Sequence, residues 1–440
     1  MHGIRRVVWF AALAALTSCT EEATAPGKCP DFCPPKTIAL VDTILPIVFG
    51  DSSFLGYVLP NAAPLLPAIE GLGGVNSRPI FRTEGIVGTW TFTGDTAASP
   101  FVELDSARVV IRLERWDTAT HNLRIRLYRL PNSIDSTATY ASLASAFTDS
   151  LLKTVNVDSI LALPVDSDAG TKSKVHRDSA GGDIVTWIDS ASHSALVSIS
   201  LDSTQARYIP ADSGKQTYGI RISADSFASV GIGSVDGGAG ISTTFYAAYD
   251  SAKTGKAVTP QGQSVIRQFD TFVFDPPPVL DDTSLTVGGV PAARSVMRLN
   301  FSRGLRDSVS IVRATLVLVP ISPVVSAPND SMGLWVRRAI ADFGAKSPLA
   351  QPNPLLPADS TAIAVAVVPT GVTDTVNVEI TQMVRFWQAD TVVPHTLVLM
   401  EAQSREGGSF ATLRLYSTRV PGFRPALHIT YIPRYAFGTP

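Results

Sequence analysis

Residues with acid–base or metal-binding chemistry are scattered along this chain of 440 residues. Glycoside hydrolysis needs two carboxylates that converge across a cleft. Six glutamates of the body are scattered and show no paired spacing: Glu84, Glu103, Glu114, Glu379, Glu401 and Glu406. The five histidines that follow the first nineteen residues are isolated and lack the spacing of metal ligands: His121, His176, His193, His395 and His428. This pattern leaves enzymatic activity uncertain, favours a non-catalytic protein, and predicts no catalytic residue, no metal and no other cofactor.

Sugar-binding chemistry has one candidate pair, Trp335 and Arg337. In the alternating run 333–338, period-two geometry places these two side chains on one side of a strand. Leu334 and Val336 occupy the other side and make the better core pair. Trp335 is therefore free to stack on a sugar ring, with Arg337 beside it. The alternative is that Trp335 packs under the loop 348–357.

Cysteine chemistry is confined to the start of the chain, where Cys19, Cys29 and Cys33 are the three cysteines. In an oxidising compartment Cys29 and Cys33 would favour a local disulfide. A metal site would need more ligands, and no second cysteine pair or nearby histidine supplies them. A four-residue spacing can strain such a bridge, so two free thiols stay open as well.

The first nineteen residues have the layout of a secretory signal. Arg5 and Arg6 form a basic region, and the apolar run 7–15 is too short to span a bilayer. The segment 16–19, Leu-Thr-Ser-Cys, looks like a bacterial lipobox, in which the thiol of Cys19 carries the lipid after cleavage. The alternative is an ordinary cleaved signal with a chance cysteine.

These features predict a signal peptide over residues 1–18 and a lipidated, proline-containing tether over residues 19–36, which would act as a semi-rigid spacer. The predicted partner is a membrane, held through a lipid on Cys19. The predicted location is the cell envelope. The outer membrane is preferred, because Thr20 is not the aspartate that retains some lipoproteins at the inner membrane.

Composition excludes one class of partner. The formal net charge is −2, with 45% hydrophobic and 17% charged residues. Nucleic-acid binding needs a basic surface, which this balance does not provide, so no nucleic-acid partner is expected. The apolar content is sufficient for sizeable cores.

From about Thr37 the chain shows short apolar runs separated by Asp, Ser, Gly and Pro. Many of these runs alternate apolar with polar residues, as in Leu123–Leu130, which is typical of strands with one buried face. Helical periodicity is rare, and Tyr140–Lys153 is the best candidate. The predicted class is all-β, organised as two tandem jelly-roll-like antiparallel β-sandwiches.

An internal repeat supports two domains. The stretch Phe227–Ser234 matches Phe410–Ser417 without a gap. Four further strand-like runs recur in the same order: Ser106–Ile111 with Arg313–Leu318, Leu123–Leu130 with Gly333–Ala339, Ala195–Leu201 with Val376–Ile380, and Tyr218–Ile222 with Leu397–Met400. We therefore predict a first domain over residues 37–252 and a second over residues 265–434, with the boundary in a polar stretch between Asp250 and Phe269.

The second repeat also resembles the DNRLRE-type β-sandwich domains of secreted bacterial and archaeal proteins. The matching motifs lie, in order, at 285–289, 295–301, 311–318, 378–387, 413–418 and 425–431. The resemblance covers about Thr271–Pro433, and it covers the first repeat only through the internal similarity. The family's "S-x-E" glutamate is missing, since Thr418 and Arg419 follow Ser417. The resemblance implies a carbohydrate-binding jelly roll, although fold alone does not determine function.

Together these features predict a non-catalytic, lipid-anchored envelope protein that presents β-sandwich domains to a polysaccharide or to envelope proteins. A purely structural or adhesive lipoprotein is one alternative. An extracellular polysaccharide lyase or hydrolase is another, because a Tyr/His pair or an arginine can converge in the fold without any signal in the sequence. Trp387 ends an apolar run and is expected in the core.

Overall fold

The computed structural model describes residues 40–434, except for residues 85, 87, 92–95, 117–119, 167–174, 181, 191–193, 207–214, 251–260, 276–279, 327–330, 354 and 356–358. For residues 261–268 it describes the backbone alone. The predicted signal peptide and tether lie outside the described residues, and so do Cys19, Cys29 and Cys33.

The described chain has an all-β sandwich fold of antiparallel sheets, as its alternating sequence predicts. In the long strand Ser99–Glu114, for example, Val109, Ile111 and Leu113 are fully buried while the residues between them are partly exposed. Successive side chains of a strand point to opposite faces, so this alternation gives each sheet one core-facing side.

Two strands open the described chain, β1 (Val41–Leu45) and β2 (Val48–Leu55). The fourteen strands that follow form one connected set of sheets, called here the first unit. They are β3 Leu65–Leu72, β4 Val75–Thr83, β5 Thr89–Trp90, β6 Ser99–Glu114, β7 Arg124–Leu130, β8 Leu151–Asn156, β9 Val165–Asp166, β10 Val175–Arg177, β11 Ile184–Asp189, β12 Ser194–Leu201, β13 Gln216–Ser223, β14 Ala228–Gly233, β15 Ser242–Tyr249 and β16 Gln261–Asp275.

The remaining strands, together with β1 and β2, form the second unit. They are β17 Ser284–Gly288, β18 Ala293–Leu299, β19 Val309–Leu318, β20 Ser331–Arg338, β21 Ile363–Pro369, β22 Val376–Glu379, β23 Thr396–Glu401, β24 Thr412–Tyr416 and β25 Ala426–Pro433. One sheet has the order β1-β25-β19-β22. The other has the order β21-β20-β23-β18-β17-β24, and β2 pairs with β18.

Helices are short in the described residues. The α-helices are Ala146–Asp149, Val157–Leu161, Ser203–Ala206, Arg303–Asp307 and Thr381–Ala389, and the 3-10 turns are Pro60–Ala62, Ala141–Leu143 and Gly344–Lys346. Within the candidate helix Tyr140–Lys153, two short helical turns form and the end becomes strand β8. Of the helices in this described part, none is long and apolar enough to cross a membrane.

Each unit has its own apolar core. In the first unit a large cluster includes Phe81, Tyr218 and Phe245, and a smaller cluster around Phe147 lies on the other face of β7. In the second unit the cluster includes Leu334, Val336 and Trp387. Trp387 is fully buried, as expected for a core residue.

Strand neighbours repeat between the units in the order of the sequence repeat. Strand β6 pairs with β12 and β15, and β19 pairs with β22 and β25. Strand β13 pairs with β7 and β4, and β23 pairs with β20 and β18. Strand β14 pairs with β3, and β24 pairs with β17.

The predicted limits 37–252 and 265–434 differ from these pairings at two places. Strands β1 and β2, at 41–55, pair with β25 and β18 of the second unit. Strand β16, at 261–275, pairs with β15 and β4 of the first unit. The alternation of apolar residues shows that a segment is a strand, but it does not show which distant strand edge the segment joins.

Candidate functional site

A pocket of about 550 Å³ lies beside Trp335 and Arg337 in the second unit. Its volume falls within the roughly 300–1,000 Å³ typical of small-ligand sites. It is lined by Trp335, Arg337, Gln351, Pro352, Ser360, Ile363, Ala364, Val365, Glu379 and Gln403. The two residues singled out in the sequence therefore meet in one cavity.

Strand β20 positions both side chains. Leu334 and Val336 are fully buried in the core, so Trp335 and Arg337 lie on the opposite face of the sheet. Trp335 is neither buried nor fully exposed, and Gln351 and Pro352 of the 348–357 loop line the same pocket. An indole in this position presents apolar surface to a bound molecule.

The strands that flank Trp335 make its surroundings apolar. Its cross-strand neighbours are Val365 on the edge strand β21 and Met400 on β23. Val365 is 54% exposed, whereas Met400 is buried. The indole therefore lies between the buried Met400 and the exposed Val365 of the edge strand, and both neighbours are apolar.

Arg337 is much less accessible than the sequence suggests, with 5% of its surface exposed. Its Nη2 donates a hydrogen bond to the carbonyl oxygen of Ala350 at 2.6 Å. Its Nε has no hydrogen-bond partner among the described residues. Burial lowers the pKa of the Arg337 guanidinium, and the nearby positive charge of Arg294 lowers it further.

Arg294, whose charge acts on Arg337, is itself paired with a carboxylate. Its Nε and Nη2 donate to the two carboxylate oxygens of Glu406 at 2.6 and 2.7 Å. Its guanidinium also lies 4.3 Å from the ring centre of Tyr57, a cation–π distance. Both oxygens of Glu406 are bonded to Arg294, and the negative charge of Glu406 also raises the pKa of Arg337, which offsets part of the effect of burial.

The pocket also contains one acidic group, Glu379. Arg313 donates to its carboxylate at 2.8 Å, and the Thr381 hydroxyl donates to the other oxygen. Burial raises the pKa of Glu379, but these hydrogen bonds outweigh burial and leave the pKa below its usual value. The group is therefore ionised near neutral pH and already held by Arg313.

A second polar cluster lies on the outer face of the four-stranded sheet. His428 Nε2 lies 2.9 Å from Asp42 Oδ1, and the Thr430 hydroxyl donates to the same oxygen at 2.7 Å. These residues line a shallow depression with Arg313, Thr315 and Asn377. Hydrogen bonds from His428 and Thr430 lower the pKa of Asp42.

Metal binding has no candidate within the described part of the chain, where no three His, Cys, Asp or Glu side chains are grouped to hold an ion. The pocket instead offers an aromatic face, one guanidinium and the side-chain amides of Gln351 and Gln403. These groups are suited to a molecule with an apolar face and hydrogen-bonding edges.

No protein-family model matches this chain, and no curated protein matches it. The resemblance of residues 271–433 to DNRLRE-type domains therefore stays a prediction from their motifs.

Sequence reasoning missed Gln351 and Gln403, which reach the pocket from segments outside the regular strands. No periodic signal marks such residues, because a loop is positioned by its contacts rather than by its own pattern. The 402–408 segment illustrates this: a Cβ on Gly333 would lie 3.2 Å from the Cβ of Ala402, so Gly333 allows this segment to approach β20 closely.

Proposed function

We propose that this protein is a non-catalytic, lipid-anchored protein of the cell envelope that binds a glycan in the pocket beside Trp335. The observation that carries the proposal is the partly exposed Trp335 ring in a pocket that also contains a guanidinium and two side-chain amides. Sugar rings present apolar C–H surfaces flanked by hydroxyl groups. An aromatic face with hydrogen-bonding groups around it complements both features.

Anchoring through Cys19 belongs to the same proposal and is supported by the sequence of residues 1–19. Acyl chains contribute about 0.8 kcal/mol for each buried methylene, so two or more chains hold a protein firmly to a membrane. In cells fed a labelled fatty acid, Cys19→Ala should remove the label and leave the precursor uncleaved. Acylation of that variant would contradict the anchor.

Glycan binding is tested by replacing the aromatic face. The full chain, solubilised in a mild detergent, would be applied to a glycan array and then titrated with the glycan that binds. Trp335→Ala should weaken binding at least tenfold, because a buried aromatic contact at the centre of an interface is worth about 2 kcal/mol.

The matched control is Phe343→Ala, which removes a 70% exposed aromatic side chain of the same unit that does not line the pocket. Its affinity should equal that of the wild type. A Trp335→Ala protein with an unchanged unfolding transition and full glycan affinity would contradict the proposed site. A wild-type protein that binds no glycan on the array would contradict the function.

One observation favours a second candidate, a polysaccharide lyase. His428, Asp42 and Arg313 meet on one open sheet face, and a histidine that is oriented by a carboxylate can transfer protons. Ultraviolet absorbance of unsaturated sugar ends, followed in the same glycan mixtures, would detect this activity.

A further inference from the structure

Glu401 is a buried acid at the end of a core strand. It is the last residue of β23, and its side chain is fully buried. It faces Leu334 of β20, and a Cβ on Gly288 of β17 would lie 3.3 Å from its Oε2. Neither carboxyl oxygen has a hydrogen-bond partner of good geometry among the described residues. Burying a carboxyl group in such surroundings costs much less when the group is protonated.

The charged groups around Glu401 come from both units. In the second unit the Arg405 Nε lies 3.9 Å from Oε1 of Glu401, while the negative charge of Glu406 repels it. From the first unit, the positive charge of Arg115 attracts it. The Ser409 hydroxyl also favours the ionised form. Burial nevertheless has the largest effect and raises the pKa of Glu401 to about 7.

The turn after β23, residues 402–408, is closed mainly by its own backbone. The Ala402 carbonyl accepts hydrogen bonds from the amides of Arg405 and Glu406 at 2.8 and 3.0 Å. The Ala402 amide donates to the Gly333 carbonyl on β20 at 2.8 Å. The turn is therefore joined to the sheet at its first residue, and the residues after it contribute no ladder bond to β23.

The same turn contacts the first unit. Arg115 Nη2 donates to the Ser404 carbonyl at 3.2 Å. The Gly408 backbone lies so close to β3 that a Cβ there would be 3.0 Å from the Cβ of Leu65. Arg115 has a φ of 51°, which is uncommon for a residue other than glycine. The turn thus lies between the buried acid and the first unit.

We propose that residues 402–408 form a pH-dependent latch between the two units, closed while Glu401 is protonated and released when Glu401 ionises. An ionised carboxylate in the closed structure lacks hydration, and the guanidinium 3.9 Å away is beyond hydrogen-bonding distance. Movement of the latch would admit water to the end of β23 and remove this cost. Gln403 of the latch lines the Trp335 pocket, so release would also move one wall of that pocket.

The pH range of this effect follows from the two protonation equilibria of Glu401. In the open latch the carboxyl group is hydrated, and its pKa returns to the ordinary value of 4.5. Below pH 4.5 both states are protonated, and the latch is most firmly closed. Between pH 4.5 and about 7 the open state ionises first, so opening becomes about tenfold more favourable for each pH unit. Above about 7 both states are ionised, and the effect levels off.

Hydrogen–deuterium exchange of the full chain in mild detergent measures this opening. After correction for the intrinsic rate of amide exchange, protection of the latch should fall about tenfold for each pH unit from 4.5 to 7 and then stay constant. Peptides of β18 and β20 should be better protected at every pH, because core strands exchange through larger openings. Protection of the latch that does not vary with pH, or that equals protection of these strands, would overturn the proposal.

The role of Glu401 is tested by Glu401→Gln, which keeps the shape of the side chain and removes its titration. The latch of this variant should be equally protected at pH 4.5 and at pH 7. The matched control is Glu103→Gln, which neutralises an exposed carboxyl group of the first unit and should keep the pH dependence of the wild type. A tenfold fall per pH unit in Glu401→Gln would assign the effect to another group and overturn the proposal.

The contact with the first unit is tested by Arg115→Gln, which removes the hydrogen bond to Ser404. Protection of the latch at pH 4.5 should fall about fivefold, the effect of one ordinary hydrogen bond, while β18 and β20 keep theirs. Arg424→Gln removes an exposed arginine of the second unit outside the latch and should change nothing. Full protection of the latch in Arg115→Gln would show that the first unit does not hold this turn, and would overturn its assignment as a latch between the units.

Discussion

The two units have equivalent strand positions that are occupied by different segments of the chain. In the first unit the position is filled by the single strand β16, which pairs with β15 and then with β4. In the second unit it is filled by β1, which pairs with β25, and β2, which pairs with β18. Each repeat is therefore completed by the strand that precedes the other repeat in the sequence.

The residue pairing between strands shows that β16 and β2 occupy equivalent positions in the two units. Asp270 faces Phe81, which faces Tyr218 in the first unit. Asp51 faces Met297, which faces Leu397 in the second. Since Tyr218 and Leu397 begin matching runs of the repeat, Asp51 and Asp270 match as well, and both are 5% exposed. The exchange means that the two units are joined by more than a simple linker.

The largest expected effect comes from removing the strands at residues 40–56. Residues 280–434 alone lose the pairings of β1 and β2, the buried Val48, and the hydrogen bonds from Thr418 to Asp51 at 2.6 and 3.1 Å. Such losses rival the roughly 5–15 kcal/mol of a whole domain, so this fragment should show no cooperative melting. Residues 57–276, which keep β16, should melt cooperatively in calorimetry.

The comparison becomes sharper when the missing strands are added back. A synthetic peptide of residues 40–56 should restore a cooperative transition to the 280–434 fragment, and an Asp51→Ala peptide should restore it less well. If the 280–434 fragment melts cooperatively without any peptide, β1 and β2 are dispensable and the exchange has little energetic weight.

This exchange also marks the limit of sequence reasoning. The all-β class and the opposite faces of Trp335 and Leu334 follow from local alternation. The position of β16 does not, because hydrogen bonding between distant strands leaves no local pattern. The helix Thr381–Ala389 was missed although Met383, Val384 and Trp387 are buried at helical spacing. The burial of Arg337 depends on the loop around Ala350, which no periodicity predicts.

A second contrast between the units is one buried acid. Glu401 faces Leu334, and its repeat equivalent Ile222 faces Ile125. Both side chains are buried, but Ile222 lies in an apolar cluster while Glu401 has the Arg405 guanidinium 3.9 Å away. Burial raises the pKa of Glu401 from 4.5 to about 7. The adjoining segment contacts the first unit, since Arg115 donates to the carbonyl oxygen of Ser404.

The raised pKa makes stability depend on pH. Below pH 4.5 the group is protonated in both the folded and unfolded chain, and its full stabilising effect is present. Between pH 4.5 and about 7 the unfolded chain ionises first, so stability falls with rising pH. The total loss is about 3 kcal/mol, at 1.36 kcal/mol for each pKa unit.

Glu401→Gln should therefore melt at a higher temperature than the wild type above pH 7, and the difference should shrink toward pH 4.5. Comparing the two melting curves across this range cancels the titration of other carboxyl groups. Glu401→Ile, which installs the residue of the first unit, should give the same trend. A difference between variant and wild type that stays constant with pH would contradict the raised pKa.

The smallest expected effect concerns a position that is polar in the first unit and apolar in the second. The first unit has the buried hydroxyl of Tyr218 where the second has Leu397. Tyr218 is fully buried, its ring lies 5.2 Å from that of Phe81, and its hydroxyl has no hydrogen-bond partner among the described residues. Burial accordingly raises the pKa of this hydroxyl.

Tyr218→Phe keeps the ring contact and removes the unsatisfied group, so it should stabilise the first unit by about 1 kcal/mol. Denaturant unfolding would measure the gain, with the partly exposed Tyr246→Phe as a control that should change little. A loss of stability in Tyr218→Phe would contradict this prediction and would mean that the hydroxyl is hydrogen-bonded in solution. Tyr218 would then differ from Leu397 by a stabilising hydrogen bond and not by an unsatisfied hydroxyl.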